Sequence, residues 1–244
     1  MLSKSQIKLI TSLKQKKYRE KNQLFVAEGK KTIVELLRSN WQLYQLYTTS
    51  LEFNLSKNLF TQISDNELKK ISSFKTPNTA LAIFKRPTAG VINFDNLIVA
   101  LDNVSDPGNL GTIIRLCDWF GIKELVCNLD TVDCYNPKVI QATMGSITRV
   151  NVTYQNLNNL LETTKMSKFG AFMDGDNVYD LILPNSGILV LGNEANGISK
   201  DIESRITQRL TIPRFGDLQE TESLNVANAT AILLSEFKRQ STET

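Results

Sequence analysis

The first third of the chain mixes helix-like and strand-like patterns of hydrophobic positions. Ile7, Ile10 and Leu13 recur at the spacing of one helical face, which predicts a short helix near the N-terminus. Ser64 and Glu67 have the spacing of a capping box and predict the start of a second helix. Strands are predicted at LFVAEG, WQLYQLYTT and TALAIFKR, and a further helix at KKTIVELLRS. These elements predict a small α/β domain, followed by a linker at KRPTAGVINFDN.

From about residue 95 the pattern changes to regular alternation of strands and helices. Strands are predicted, in chain order, at LIVALD, ELVCNL, RVNVTY, FGAFMDG, GILVLG and LTIP. Helices are predicted at LGTIIRLCDWF, PKVIQATMGSI, LNNLLETT and SLNVANATAILLSEFKRQ. Such alternation is typical of an α/β domain with a parallel sheet. We therefore expect two domains, residues 1–88 and residues 95–244.

Composition excludes several kinds of chemistry. The chain has no histidine, so histidine triads, imidazole bases and histidine-ligated metals are excluded. Cys117, Cys127 and Cys134 form no CxxC pair, and we expect neither disulfides nor a zinc site. No apolar run reaches the roughly 18 residues of a membrane span, and the N-terminus lacks the apolar core of a signal peptide. We expect a cytoplasmic protein with no membrane and no metal partner.

Positive charge is concentrated at the N-terminus. Residues 1–31 contain nine basic and two acidic residues, a net charge of +7; the whole chain carries +3, so the remainder carries −4. A basic segment of this kind suggests a polyanionic partner such as nucleic acid, although many basic runs are only solvated surfaces.

Three polar segments each follow a predicted strand in the second domain. In LDNVSDPGNLGTIIRLCDWFG, Asn109 is predicted to cap the next helix, and Arg115 lies one to two turns into it. In VLGNEANGIS, Gly192 permits close backbone approach and Glu194 supplies a carboxylate where ligands bind in open α/β sheets. LTIPRFGDLQETESLNVANATAIL places Ser223 and Asn225 at the start of a helix. Each segment alone is also compatible with an ordinary turn, a solvated arginine or close helix packing.

Together, the three segments resemble motifs 1, 2 and 3 of the SpoU (TrmH-like) RNA 2′-O-ribose methyltransferases of the SPOUT superfamily. DPGNLGTIIR, GNEANGIS and IPRFG…ESLN match them in order and spacing. PKVIQATMGS is similar to the intervening helix of that family, and YREKNQLFVAEGKKTIVELL resembles the N-terminal substrate-binding module of many members. The resemblance covers most of the chain. It implies a parallel-sheet α/β domain with a deep trefoil knot, preceded by a small α/β RNA-binding domain.

The resemblance also implies the reaction and its residues. It implies methyl transfer from S-adenosylmethionine to a ribose 2′-hydroxyl by a homodimer, and the N-terminal module favours ribosomal over transfer RNA. The implied catalytic residues are Arg115, Asn109, Glu194, Ser223 and Asn225. The implied cofactor contacts are Leu191, Gly192, Ile212, Leu224 and Asn225. Because arginine stays protonated (pKa above about 12), we expect Arg115 to stabilise the incipient alkoxide or hold the adjacent phosphate rather than act as a base.

The N-terminal basic segment is the expected RNA-binding surface. Its predicted contacts are Lys14, Lys16, Lys17, Arg19 and Lys21. Tyr18 is a candidate for stacking on an RNA base, whereas Phe25 is expected to pack in the core because it lies in a predicted strand.

Two departures from the family pattern affect neither set of site residues. Gln141 and Thr143 stand where many relatives have arginine and serine, which predicts a different RNA surface there. The loop at residues 214–222 is a few residues longer than the usual spacing and could reshape the cofactor lid.

Two other functions remain open. One is a non-catalytic RNA-binding or ribosome-assembly protein that retains the fold; the matched motif residues argue against it. The other is a nucleotide-dependent enzyme on a Rossmann sheet, which is disfavoured because neither GxGxxG nor a P-loop sequence occurs.

Overall fold

The computed structural model describes residues 1–77, 79–216 and 223–241. Two compact units make up the chain: Met1–Thr88 with Asp133–Thr148, and Ala89–Val132 with Arg149–Thr244. The helices are α1 (Lys4–Ser12), α2 (Lys16–Asn22), α3 (Lys30–Arg38), α4 (Asp65–Ile71), α5 (Pro107–Trp119), α6 (Pro137–Thr143), α7 (Leu157–Thr163), α8 (Lys200–Glu203) and α9 (Val226–Ser241). The strands are β1 (Leu24–Glu28), β2 (Leu43–Thr48), β3 (Phe60–Gln62), β4 (Ala80–Lys85), β5 (Leu97–Leu101), β6 (Glu124–Cys127), β7 (Asn151–Tyr154), β8 (Lys168–Asn177), β9 (Gly187–Leu191) and β10 (Gln208–Thr211).

The first unit is built on a four-stranded sheet in the order β1-β4-β2-β3. Strand β4 pairs antiparallel with β1 and β2, and β3 pairs parallel with β2. The capping box at Ser64 and Glu67 starts α4 as predicted. The hydrophobic pattern missed α2 and β3, because α2 buries only Arg19 and β3 is three residues long.

Residues 133–148 belong to the first unit, although they follow β6 of the second along the chain. Helix α6 ends at Thr143 because Met144 adopts a left-handed conformation with φ of 50°. Gly145 follows with φ of 95°, and a Cβ there would lie 2.4 Å from the Cβ of Glu35. The predicted helix PKVIQATMGSI is therefore shorter than expected, and a 3₁₀ turn at Ser146–Thr148 completes the segment. Strand–helix alternation along the chain does not reveal this placement.

The second unit contains a six-stranded sheet in the order β10-β8-β9-β5-β6-β7, and every neighbouring pair is parallel. The predicted parallel α/β sheet is confirmed. Every residue of the central strands β5, β6 and β9 is buried, which accounts for their apolar sequences; the one charged residue in them is Glu124 at the start of β6. One face of this sheet packs against α7 through Ile98, Val126, Leu157 and Ile188.

The strand order decides which loops meet. Strand β5 lies between β9 and β6, so the loops that follow these three strands leave the same edge of the sheet side by side. The trefoil knot implied by the resemblance stays a prediction. Among the described residues, no helix is long and apolar enough to cross a membrane.

Candidate active site

Helix α5 begins directly after the loop that follows β5. Its N-cap is Asp106, whose Oδ1 accepts a hydrogen bond of 2.8 Å from the backbone N–H of Asn109. Pro107 occupies the first helical turn, where the missing N–H costs nothing. The prediction that Asn109 is the cap is therefore wrong: a carboxylate three residues earlier takes that position. Asn109 is the third residue of the helix, and its side chain is available for other contacts.

A chain of side-chain hydrogen bonds connects the three predicted motif segments. The Nδ2 of Asn109 donates to Oε1 of Glu194 at 2.9 Å. The Nδ2 of Asn225 donates to Oδ1 of Asn109, also at 2.9 Å. The second oxygen of Glu194 lies 3.5 Å from the backbone nitrogen of Ser105. Residues that are 85 and 116 positions apart in sequence thus form one polar cluster, the motif cluster, defined as Asn109, Glu194 and Asn225.

Asn225 also fixes the start of α9. Its Oδ1 accepts hydrogen bonds from the backbone N–H of Ala227 at 3.0 Å and of Asn228 at 3.3 Å. The helix begins at Val226, so Ser223 precedes it rather than opening it, as the sequence had suggested. One amide therefore orients both the helix and the motif cluster.

Beside the motif cluster is an open cleft of about 1220 Å³ in the second unit. The predicted cofactor contacts Leu191, Gly192, Ile212 and Leu224 all line it, and so do Glu194 and Ser223. Asn225 does not line the cleft but lies between Leu224 and Val226, which do. The volume is somewhat above the usual upper range of about 1,000 Å³ for ligand sites, as expected for a cleft open to solvent.

Gly192 is required by the local packing of the loop after β9. A Cβ at this position would lie 2.1 Å from the carbonyl carbon of Gly197 and 2.2 Å from the nitrogen of Ile198. Asn193 and Gly197 exchange two backbone hydrogen bonds of 2.9 Å, which fold the loop back on itself. Gly197 has φ of +67°, a left-handed conformation that suits glycine. The two glycines thus allow the loop to present Glu194 next to the cleft.

Sequence reasoning missed one wall of the cleft, which is formed by β8 and β10. Their register jumps from Arg209↔Gly170 to Leu210↔Asp176, so residues 171–175 leave the ladder. Residues 171–174 line the cleft. Arg209 fixes the position of this irregular segment. Its guanidinium donates to Oδ1 of Asp174 at 2.6 Å and to Oε1 of Glu203 at 2.5 Å. The polar end of FGAFMDG was the only signal in the sequence that this strand is irregular.

Arg209 also sets the electrostatics of that wall. Its guanidinium carbon lies 3.6 Å from the ring centroid of Phe172, a cation–π contact. The hydrogen bond from Arg209 lowers the pKa of Asp174, and the same bond raises the pKa of Arg209. Asp174, which lines the cleft, is therefore held as a hydrogen-bond acceptor at neutral pH.

The cleft suits S-adenosylmethionine, which joins a flat aromatic adenine to a cationic sulfonium and an amino acid. Three of its lining residues are large apolar side chains left exposed: Met173 at 50%, Phe215 at 83% and Leu224 at 47%. Exposed apolar groups inside a cleft are the usual lining for a flat aromatic ring. The carboxylate of Glu194, which is not paired with Arg209, complements a cation.

Arg115 is not part of the motif cluster. It lies on α5 six residues after Asn109, and the two side chains are about 120° apart around the helix axis. Its side chain is exposed, and it has no hydrogen-bond or ion-pair partner among the described residues. None of the described residues therefore orients Arg115 through a hydrogen bond or an ion pair.

The predicted RNA-binding residues fall into two groups. Lys14, Lys16, Lys17 and Lys21 are exposed, and Lys14 donates from Nζ to the carbonyl of Ser72 at 3.1 Å. Arg19 is only 2% exposed, which corrects its assignment as an RNA contact. Its Nε and Nη2 donate to Oδ2 of Asp133 at 2.8 and 2.5 Å, and its Nη1 donates to the carbonyls of Leu13 and Lys14 at 2.9 Å each.

The structure confirms some of the remaining sequence predictions and contradicts others. Phe25 is fully buried, as expected for core packing, and Tyr18 is half-buried with the Nζ of Lys17 4.9 Å from its ring. Thr143 is fully buried and donates to the carbonyl of Ile140, so the expectation that it changes an RNA surface is wrong; Gln141 is exposed. Of the 214–222 loop, residues 217–222 lie outside the described residues.

Comparison with known proteins identifies the family. The SpoU rRNA Methylase family model matches residues 96–235, and the MRM3-like substrate binding domain model matches residues 4–82. This chain belongs to the SpoU rRNA methylase family. It is, as the sequence predicted, an S-adenosylmethionine-dependent RNA methyltransferase.

The similar proteins span nearly the whole chain. A 23S rRNA (guanosine(2553)-2′-O)-methyltransferase, RlmP of Bacillus subtilis, is 28% identical over 228 residues, 90% of each chain. A putative TrmH-family RNA methyltransferase from Porphyromonas gingivalis is 39% identical with a TM-score of 0.89, covering 98% of this chain and 99% of its own. An AdoMet-bound rRNA methyltransferase from Sinorhizobium meliloti is 26% identical with a TM-score of 0.85, covering 98% and 97%.

Proposed function

We propose that this SpoU methylase transfers a methyl group to a ribose 2′-hydroxyl of ribosomal RNA. The observation that carries the proposal is the motif cluster, which joins all three family motifs at the side of a cleft lined by the predicted cofactor contacts. The relatives named for ribosomal RNA and for 2′-O transfer support the choice of substrate and of acceptor atom. S-Adenosylmethionine, when bound, supplies the methyl group as an electrophile on its sulfonium.

The residues of the chain then have to align and polarise the ribose. Asn109 and Glu194 hold each other at 2.9 Å, and Glu194 lines one side of the cleft. Arg115 is exposed on the same helix as Asn109 and is free to bind a phosphate or the incipient alkoxide once RNA arrives. Ser223 lines the cleft and is the one predicted catalytic residue with a hydroxyl group. Among the described residues, no group of three acidic, cysteine or histidine side chains could hold a metal ion.

The N-terminal unit provides the surface for the rest of the RNA. The lysines of the basic segment are exposed on and beside α2, while its arginine is committed to an internal ion pair. We therefore assign RNA binding to Lys14, Lys16, Lys17 and Lys21 and leave Arg19 out. Point-charge contacts of this kind bind phosphates without reading bases, so the choice of nucleotide is made elsewhere.

A transfer assay tests the proposal directly. Purified protein is incubated with S-adenosylmethionine carrying a tritiated methyl group and with total RNA from a strain that lacks this gene, and the RNA is digested to nucleosides. We expect label in a 2′-O-methylnucleoside of ribosomal RNA. Label on a base would contradict the assignment of the ribose 2′-hydroxyl as the methyl acceptor. Label confined to transfer RNA would contradict the assignment of ribosomal RNA as the substrate. Binding of cofactor and RNA without transfer would favour the non-catalytic alternative.

We also propose that the protein acts in the cytoplasm as a homodimer. The dimer is what the resemblance to the family implies, and the side chain of Trp119, at the end of α5 and 83% exposed, is a candidate for its interface. Light scattering coupled to size-exclusion chromatography tests the dimer: a mass of twice 27.4 kDa is expected, and a monomer at micromolar concentration would contradict it.

A further inference from the structure

A buried carboxylate at the carboxyl end of β5 belongs to none of the groups assigned so far. Asp102 immediately follows the central strand β5 and is only 1% exposed. Aspartate is almost never fully buried unless it is paired, because taking a carboxylate out of water is costly. We therefore expect this carboxylate to have hydrogen-bond partners that fix neighbouring parts of the structure.

Both oxygens of Asp102 bind groups on neighbouring loops. Oδ2 accepts a hydrogen bond of 2.7 Å from the backbone N–H of Ser199, at the end of the loop after β9. Oδ1 accepts one of 3.1 Å from Nδ2 of Asn128, which follows β6. A single side chain thus links the ends of three adjacent strands on the edge of the sheet where the motif cluster lies.

The next residue strengthens the same connection. Asn103 adopts a left-handed conformation with φ of 60°, and its carbonyl accepts a hydrogen bond of 2.7 Å from Nδ2 of Asn193. The loop that carries Gly192 and Glu194 is therefore held at Asn193 by Asn103 and at Ser199 by Asp102. The segment that does the holding leads directly into α5, which carries Asn109.

We propose that Asp102 is a positioning residue for methyl transfer, which acts by holding the Gly192–Ser199 loop in place against the start of α5. The 2.9 Å contact between Glu194 and Asn109 depends on the relative placement of these two segments, and so does the part of the cleft lined by residues 191–198. A misplacement of about 1 Å is enough to reduce turnover about 100-fold. The inference rests on the proposed role of the motif cluster in the reaction.

The central test exchanges the two partners of one hydrogen bond. In Asp102→Asn the side chain keeps only one acceptor oxygen, so it can serve Ser199 but then faces the amide of Asn128 with its own amide. In the double variant Asp102→Asn/Asn128→Asp, the new amide accepts from Ser199 and donates to the new carboxylate, which restores both bonds. We expect kcat to fall about 10- to 100-fold in Asp102→Asn, with the affinity for S-adenosylmethionine about tenfold weaker, and both to recover largely in the double variant.

A matched control is available at the opposite end of the sheet. Glu124 opens β6, is 9% exposed and accepts a hydrogen bond of 2.7 Å from Nδ2 of Asn151, so it is also a buried carboxylate paired with an asparagine. Glu124→Gln should lower the melting temperature but leave kcat and cofactor affinity near wild type, at an assay temperature well below all melting transitions. Equal losses of kcat in Glu124→Gln and Asp102→Asn, or a double variant no better than Asp102→Asn, would overturn the proposal.

A second variant covers the case in which Asp102→Asn does not fold. Ser199 is exposed and has φ of −66°, which proline adopts, so Ser199→Pro removes the N–H that Asp102 binds while leaving the carboxylate in place. The same losses are expected, and wild-type kcat and affinity would refute the inference. If wild-type protein binds S-adenosylmethionine by calorimetry but methylates no RNA, the proposed function fails; the effect of Asp102→Asn on that binding still decides the role of Asp102.

Discussion

Helices α2 and α5 each carry an arginine that the sequence marked as functional, and the two lie in opposite environments. Arg19 on α2 is 2% exposed and all three of its nitrogens donate to Asp133 or to backbone carbonyls. Arg115 on α5 is exposed and has no partner among the described residues. The first is part of the structure of its unit, whereas the second is available to a ligand.

This difference shows what kind of sequence evidence is informative about function. Arg19 was assigned by charge density, and nothing in a run of basic residues says which of them turns inward. Arg115 was assigned by its place in a motif whose partners lie far away in sequence. Motif spacing reflects a three-dimensional arrangement, while the sum of charges does not.

The largest expected effect that tests the contrast between Arg19 and Arg115 is on the free energy of unfolding. Arg19→Ala should destabilise the protein by about 3–5 kcal/mol, because Asp133 would be left buried and unpaired. Chemical denaturation measures the loss, and Lys17→Ala, an exposed neighbour on the same helix, is the matched control. Removing both partners in Arg19→Ala/Asp133→Ala should recover part of the loss; a small effect of Arg19→Ala would contradict the assignment of a structural role.

The opposite result is expected at Arg115. Arg115→Ala should reduce kcat/KM about 10²- to 10³-fold, since it removes the cation proposed to stabilise the developing charge, and it should leave the melting temperature unchanged because the side chain has no partner to lose. The methyl-transfer assay and calorimetry measure the two quantities. Arg38→Ala, an exposed arginine of the first unit, serves as the control. Near-normal turnover in Arg115→Ala would rule out its role.

A smaller effect is expected from the exposed lysines of the basic segment. Lys16, Lys17 and Lys21 changed together to alanine should weaken RNA binding and reduce the slope of log K against log salt by about 2, because each phosphate contact contributes about 0.7 for single strands. Filter binding at several salt concentrations measures the slope. The control removes the same charge elsewhere on the first unit, at Lys57, Lys69 and Lys70. Equal effects of the two triple variants would show that the basic segment is not a specific surface.

The smallest effect concerns the capping box of α4, which stabilises the start of that helix. Hydrogen bonds from the backbone N–H groups of Ser64 and Leu2 lower the pKa of Glu67 from 4.5 to about 2. Because the pKa is lower in the folded state, this contribution is complete above pH 4.5 and is lost as the pH falls toward 2. Glu67→Gln should therefore lower the melting temperature at pH 6 and flatten its decline between pH 4.5 and 2. An unchanged profile would contradict the linkage.

Most elements of the second unit could be predicted because its central strands are apolar apart from Glu124 at the start of β6, and because β5 and β6 are each followed along the chain by a helical period. Helix α2, strand β3 and the segment 171–175 that leaves the β8–β10 ladder could not be predicted, because none of them has a hydrophobic period of its own. The cap of α5 was misassigned by three residues, because Asp106 and Asn109 are both good caps and only the backbone conformation at Asp106 distinguishes them.

The sequence by itself determined the family and the parallel α/β unit, because motif residues keep a fixed order along the chain. It also determined eight residues that line the cleft or belong to the motif cluster: Asn109, Leu191, Gly192, Glu194, Ile212, Ser223, Leu224 and Asn225. Only the tertiary structure decided that β5 lies between β9 and β6, which brings Asp102 into contact with Ser199 and Asn128. It also decided that Arg19 turns inward toward Asp133. Both facts depend on pairings between residues about 25 to 115 positions apart, and local hydrophobic pattern and charge carry no information at that range.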